Sequence, residues 1–253
     1  MWKIFDDLIA AVPESSVVSD CLAGLSWFLV RSAGVGVSMV PREGFPRLRG
    51  AGNFAGMKTR DLARWVKSWN FHEAALGLAA INSALNAPEV AERNCGGWLD
   101  RTANVDIFDY LLDELRGKRV AVVGHFFELE RLAAVCDLTI LERRPQPGDV
   151  PDPACEYLLA DQDVVIITAT TLINKTLPRL LQLSRRARVV IAGPSTPLTP
   201  VMFDHGIDML GGLLVENEDR LWKVVQQGGM REIFEQGGRM VKVSRRSALF
   251  AAD

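Results

Sequence analysis

Four cysteines, Cys21, Cys95, Cys136 and Cys155, are spread over 253 residues with no CxxC pair. That spacing excludes an ordinary zinc knuckle or ribbon and leaves buried free thiols as the expectation. Long apolar runs are also lacking. No stretch approaches the ~18 residues of a membrane span, and the opening "MWKIFDDLIAAVP" is interrupted by Asp6, Asp7 and Pro13, unlike a secretory signal. A cytoplasmic, reduced protein without a membrane partner is expected. There is no excess of positive charge: Lys+Arg 29 against Asp+Glu 31 gives a net charge of −2. Without a broad basic surface, DNA and RNA are discounted as partners. Finally, no GxGxxG occurs. The turn "VVGHFFELERL" keeps Gly124 but lacks the second and third glycines that bring backbone close to a pyrophosphate, so a conventional NAD site has little support.

What is present is an ordinary globular composition, 48% hydrophobic and 24% charged, in a chain long enough for one large domain or two modest ones. The first hundred residues read as strands followed by helices. "VVSDCLAGLSWFLVRS" and "GVGVSMVPR" meet at Ala33-Gly34 as a hairpin. "TRDLARWVKSW" and "NFHEAALGLAAINSALNAP" have helical spacing, with Asn70 as N-cap and Pro88 closing the second segment. "ERNCGGWLDRTANVD" reads as a linker region, and "IFDYLLDELRGK" as a helix leading into a second domain.

From Lys118 the pattern alternates. "RVAVVG", "DLTILE", "DVVIIT", "ARVVIAG" and "DMLGGLLV" are short unbroken apolar runs, suited to parallel strands covered on both faces. The Pro-rich segment between Glu142 and Asp163 holds only a short helical piece, a degenerate third unit. "DVVIIT" would then lie beside "RVAVVG", and strand order would reverse between them. The expected fold is α/β: a small α+β domain over residues 1–100 and a Rossmann-like domain with a mainly parallel sheet over 101–253.

Ligands of such sheets sit at the carboxyl ends of the strands, near the reversal. Three polar turns should converge there. One holds Gly124 and His125, the latter placed for proton transfer or metal ligation. A second is "TATTLINKTL", with Thr170, Thr171, Asn174, Lys175 and Thr176; Lys175 would supply a full positive charge. The third is "AGPSTPLTPVMF", with Gly193, Pro194, Ser195 and Thr196 before a Thr199 N-cap and Pro200. Helix starts expose unpaired N–H groups, so the latter two turns could form an anion cradle. Capping alone accounts for Thr176 and Thr199 equally well, whereas Thr170, Thr171 and Asn174 exceed capping needs. Pro194 and Pro197 are read as stiffening their turn.

Glu142 closes the second strand, where dinucleotide enzymes place a ribose-binding acid, or it salt-bridges Arg143 or Arg144. His72 begins a helix, and His205 is read as lying in a surface turn. On "HEAALGLAAINSALN", Glu73, Gly77, Ala80 and Ala84 share one face and Asn82 nearly the opposite one. The small-residue face is expected to pack tightly; Glu73 and Asn82 are candidate ligand-binding residues, although both cannot face one small ligand, and Asn82 could equally bridge to the second domain. Cys95, in "NCGG", has a nucleophile reading but no identifiable base. The doublets Gly228-Gly229 and Gly237-Gly238 are expected to end short helices.

Together, "EAALGLAAINSALN", "VAVVGHF", "LTILERRPQPGD", "DVVIITATTLINKTL" and "GPSTPLTPVMFDHGID" resemble a prokaryotic family labelled putative heavy-metal chelation, over roughly Val17 to Val243. The resemblance implies an enolase-N-terminal-like domain joined to a Rossmann-like domain, with a site at their interface built from the residues above. It brings no particular reaction. Ser83, where alanine is expected, and Phe127, where the family often has proline, depart from the pattern.

The leading expectation is a protein that binds a small anionic metabolite or its metal complex in the interdomain cleft, in metal-chelator metabolism. Residues 170–176 and 193–196 would hold the anion, and His125 with Glu142 would supply acid–base or ligand groups. Two alternatives stand beside it: a non-enzymatic metal-binding or delivery protein using His125, Glu142 and a cysteine, and a nucleotide- or S-adenosylmethionine-using enzyme. No cofactor is singled out. Exposed Trp or Phe on the first domain would accommodate a homodimer.

Overall fold

The computed structural model describes residues 2–102 and 104–245. The chain is α/β, with a mainly parallel eight-stranded sheet and a separate three-stranded antiparallel sheet. The small sheet is formed by β1 (Asp20–Ala23), β2 (Trp27–Arg31) and β3 (Val35–Met39). The hairpin at Ala33-Gly34 joins β2 to β3.

Helix α1 (Lys3–Ala11) precedes the sheet and was not anticipated. Its Ile4, Phe5, Leu8 and Ile9 are buried on one face, while the acidic pair that interrupts the apolar run does not line that face. Next come α2 (Thr59–Ala63), continued by a 3-10 turn over Arg64–Lys67, and α3 (Phe71–Leu85). Asn70 caps α3 as expected, its side chain accepting from His72 N. Helix α3 is buried almost throughout, and its small residues are the reason. A Cβ on Gly36 would lie 2.1 Å from Ala79 O and Ser83 N, and one on Gly77 would lie 2.2 Å from Val66 N. Backbone therefore meets backbone on two sides of the helix.

Pro88 does not close α3. It occupies the first turn of the next helix, α4 (Pro88–Cys95), where its missing N–H costs nothing. The expected linker is likewise structured in part, because β4 (Leu99–Asp100) pairs antiparallel with the last strand. Helix α5 (Ile107–Leu111) is shorter than the sequence suggested.

The large sheet continues through β5 (Arg119–Val123), β6 (Asp137–Glu142), β7 (Val150–Pro151), β8 (Val164–Thr168), β9 (Arg188–Ala192), β10 (Met209–Val215) and β11 (Gly238–Ser244). Its helices are α6 (Glu130–Ala133), α7 (Cys155–Leu158), α8 (Leu177–Leu183) and α9 (Glu218–Gln226). Strand order is β4-β11-β10-β9-β8-β5-β6-β7, so β5 lies between β6 and β8 and the order reverses there. The third unit is indeed degenerate: β7 has two residues and α7 four.

Strand β11 was missed in the sequence because its apolar pattern contains a buried lysine. Lys242 is 1% exposed, its Nζ donating to Val105 O. Gly228-Gly229 follow α9, and Gly237-Gly238 follow a 3-10 turn over Glu232–Phe234 while also opening β11.

The largest apolar cluster is continuous between the sheets, from Phe5, Phe28 and Ile81 to Val123, Ile167, Leu214 and Val241. The outer face of the small sheet, with Trp27, Leu29 and Val37, packs on Leu213 and α9. Because the two sheets share core in this way, their relative placement is set by side-chain interdigitation.

Candidate functional site

A polar crevice of about 260 Å³ opens at the carboxyl ends of β5, β6 and β8, beside the strand reversal. Its walls include Gly124, Glu142, Thr168, Thr170, Thr171, Asn174 and Thr176, with Arg143, Asp152, Cys155, Glu156 and Arg179 from the elements around the degenerate unit. Glu43, from the loop after β3, closes one side. A larger hollow of about 730 Å³ lies at the other end of the sheet, against Arg188 and Asp208 at the amino ends of β9 and β10. It lies at the amino ends of the parallel strands, whereas ligands of such sheets sit at the carboxyl ends, and the crevice is the better site.

The turn after β8 is built by its own side chains. Thr168 starts a 3-10 turn, its hydroxyl accepting from Thr170 N, and Thr171 Oγ1 donates to Thr168 O at 2.6 Å. Asn174 Oδ1 accepts from both the N and the Oγ1 of Thr176. Thr176 is therefore not a side-chain cap of α8; Asn174 organises that corner. Gly124 must be glycine, since its φ is +103° and an added Cβ would stand 2.8 Å from Thr168 Cγ2.

Lys175 does not face the crevice. The expectation that it supplies the charge fails because its side chain turns toward the N-terminal unit, donating to Ile173 O at 2.5 Å and lying 6.0 and 5.9 Å from the Phe5 and Phe71 rings. It is 7% exposed, and burial pushes its pKa down to about 8.

The third turn is also redirected. Met39 N donates to Ser195 Oγ, Asn82 Nδ2 donates to Ser195 O and Val37 O, and Asn86 Nδ2 donates to Thr196 O. Thr196 Oγ1 turns back to Gly193 O, and Leu198 N donates to Asn86 Oδ1. Gly193, Pro194, Ser195 and Thr196 thus line no part of the crevice; Ser195 and Thr196 bond the small sheet and α3 to the large sheet. Asn82 lines no part of the crevice either; it takes the second of its two readings and bridges the units, with its Oδ1 left without a partner. Glu73 points elsewhere, to Arg49 at 2.6 Å and Ser68 at 2.6 Å. Burial raises its pKa, but those hydrogen bonds prevail and hold the carboxyl below its usual range.

His125 and Glu142 are adjacent but not as an acid–base couple. Glu142 Oε2 accepts from His125 N at 2.9 Å and Oε1 from Arg144 N at 3.0 Å. The carboxylate staples two strand-end turns and is occupied by main-chain donors. His125 instead pairs with Asp149, Nδ1 to Oδ2 at 2.9 Å. Asp149 was not singled out in the sequence, nor were Arg143, Asp152, Glu156 or Arg179. The available signal was the polar content of "RRPQPGDVPDPACE", which the absence of a strand or helix pattern obscured.

Crevice charges are paired at the rim: Arg143 with Asp152 at 3.0 Å, Arg179 with Glu156 at 2.8 Å, Arg144 with Glu43 at 3.1 Å. Cys155 remains a thiol, its pKa pushed up to about 11 by burial and then by Asp152. Cys95 is no nucleophile. It is buried away from the crevice against Leu198 O, and burial pushes it up to about 11 as well. His205 is not in a free surface turn but bonds Asp7 of α1 at 2.9 Å. His72 is buried, and its Nδ1 lacks a partner.

Among the described residues, no three His, Cys, Asp or Glu side chains are grouped to hold a metal ion. The donor set does not fit a protein-held ion site, and His125 is not among the crevice-lining residues. The α6 helix that follows Gly124 has four residues and starts at Glu130, so the β5 turn presents no long helix start to a pyrophosphate. No helix among the described residues is long and apolar enough to cross a membrane.

Residues 106–244 match DUF364, and residues 5–85 match DUF4213, both described as "Putative heavy-metal chelation". The chain belongs to the DUF364 family. A crystal structure of a DUF364 protein of unknown function from Desulfitobacterium hafniense is 39% identical, covers 97% of this chain and 99% of that one, and has a TM-score of 0.90. A DUF364 protein of unknown function from Pyrococcus horikoshii, at 20% identity and TM-score 0.78, covers 95% of this chain and 98% of its own, and shares the fold. An uncharacterized protein of Methanocaldococcus jannaschii is 28% identical over 70% of each chain.

Proposed function

We propose that this DUF364 protein binds a small oxygen-rich anion as its metal complex in the crevice at the ends of β5, β6 and β8, in the service of metal-chelator metabolism. The observation that carries this reading is the mixed lining of that crevice: threonine hydroxyls and two arginines beside four carboxylates, Glu43, Glu142, Asp152 and Glu156. A bare polyanion would meet more negative than positive charge on these walls. A chelate presents both signs. Its carboxylate or phenolate oxygens suit Arg143, Arg179 and the threonines, as guanidinium pairs with carboxylates in forked geometry. Its metal suits Asp152 and Glu156 once their arginine partners turn to the chelator's oxygens. A protein-held ion would need more donors than His125 contributes once both Glu142 oxygens accept main-chain hydrogens.

Isothermal titration of the purified protein with ferric citrate, nickel citrate and metal-free citrate tests the reading. At least one metal complex is expected to bind more tightly than citrate, with Thr170→Val and Arg179→Met each weakening it about tenfold, the scale of one charge-assisted hydrogen bond. Binding that ignores both substitutions, or a preference for adenine cofactors, would overturn it.

A further inference from the structure

We propose that the hollow at the amino ends of β9 and β10 is a second binding site, independent of the crevice, and that it takes an organic carboxylate with an apolar body. Its volume is about 730 Å³. Small-molecule pockets span about 300–1,000 Å³, and a bare inorganic anion would leave most of this one unfilled.

Charge is arranged around the hollow by direction. Lys3, Arg185, Arg188 and Arg245 line it, against Asp208. Asp208 is committed to the sheet, since its Oδ2 accepts from Val189 N at 2.8 Å. Three of the cations have carboxylate partners that do not line the hollow: Asp7 for Lys3, Glu114 for Arg188 and Asp204 for Arg245. The positive member of each pair is therefore the one presented to a ligand. Arg185, exposed in the turn between α8 and β9, has no such partner among the described residues. One uncompensated guanidinium suits one carboxylate, which it can grip through two parallel N–H bonds.

A second, independent observation is the neighbouring serine. Ser184 N donates to Leu180 O and Ser184 O accepts from Ala187 N, both at 3.0 Å. Its side chain also lines the hollow, yet the hydroxyl is fully buried and has no partner among the described residues. A covered hydroxyl in that state is unfavourable, and a carboxylate oxygen held by Arg185 would supply its acceptor. The remaining wall is apolar, with Ile4, Leu181, Phe203 and Ile207. Arg245 lies over the Phe203 ring, 5.2 Å from its centroid. An alkyl or aryl body placed on that wall leaves water while its carboxylate stays at the cationic side.

Isothermal titration of the whole chain with naphthoate and with decanoate, beside acetate and naphthylmethanol, tests the proposal. At least one of the two large carboxylates is expected to bind one to one. It should bind more than tenfold tighter than acetate, which lacks the body, and than naphthylmethanol, which lacks the charge. Arg185→Met should weaken it about tenfold, the scale of one charge-assisted hydrogen bond. Arg186→Met removes an equal charge from a neighbour that does not line the hollow, and should leave binding unchanged. Ser184→Ala should weaken binding while raising the melting temperature of the free protein by about 2–4 °C, because it removes an unsatisfied hydroxyl. A serine with a merely structural role would lower that temperature when replaced. Failure of both large carboxylates to bind, equal binding of the alcohol, or binding that Arg185→Met leaves intact or Arg186→Met weakens as much, would overturn the proposal.

Discussion

Lys175 allows a stability prediction whose sign and size follow from its surroundings. Its ammonium is buried at 7% exposure with Ile173 O as its hydrogen-bond acceptor and, among the described residues, no carboxylate at salt-bridge distance, and its pKa falls from 10.5 to about 8 because burial disfavours the charged form. Between pH 8 and 10.5 the unfolded chain holds this proton and the folded chain does not, so stability from this group rises with pH across that window. Below about pH 8 both states are protonated and the full penalty is present. At ~1.4 kcal/mol per pH unit, the penalty is about 3 kcal/mol. Contacts with the Phe5 and Phe71 rings and the bond to Ile173 O offset part of it, by ~1–2 kcal/mol. Lys175→Met removes the charge at similar length and keeps the same backbone strain, since φ at this position is +69°. The variant is expected to be more stable than the wild type by ~1–2 kcal/mol at pH 7, with the advantage disappearing as pH rises through 8 to 10.5. Urea unfolding of both proteins at several pH values measures this, and taking the difference cancels the other titrating groups. A difference that stays constant from pH 7 to 10.5, or grows in the variant's favour, would refute the reasoning.

Asn82→Ala should destabilise by about 2–4 kcal/mol in thermal or urea melts, because it leaves Val37 O and Ser195 O without their shared donor in a fully buried setting. Gly36→Ala should cost more than ~3 kcal/mol or yield insoluble protein, since the new methyl would collide with the α3 backbone, which cannot move without parting β3 from the helix; a melting temperature within a few degrees of wild type would contradict the close approach. Cys95 and Cys155, with thiols pushed up to about 11, present about one thiolate in a thousand at pH 8. Iodoacetamide labelling read by mass spectrometry should therefore be slow at both in native protein and fast after unfolding.

The parallel strands were legible because each is an unbroken apolar run, and a sheet buried on both faces requires just that. The reversal between β5 and β8 was legible from the shortness of the unit between them. Elements with mixed patterns were not. Helix α1 hides behind two acidic residues, and β11 behind a lysine whose partner, Val105 O, is distant in sequence. For the site, the surplus polarity of the turn after β8 did mark a wall of the crevice, and Gly124 its floor.

By itself, then, the sequence determined the strand alternation, the reversal point and the polar content of the strand-end turns, since these depend on composition over a few neighbouring residues. Tertiary structure alone decided where each polar group points. Ser195 and Thr196 are taken up by asparagines more than a hundred residues away, Lys175 turns into the apolar junction, Glu142 is filled by main-chain N–H groups, and His125 finds Asp149 across a proline-rich loop. Such pairings depend on backbone donors and acceptors that every residue carries and no residue letter reveals.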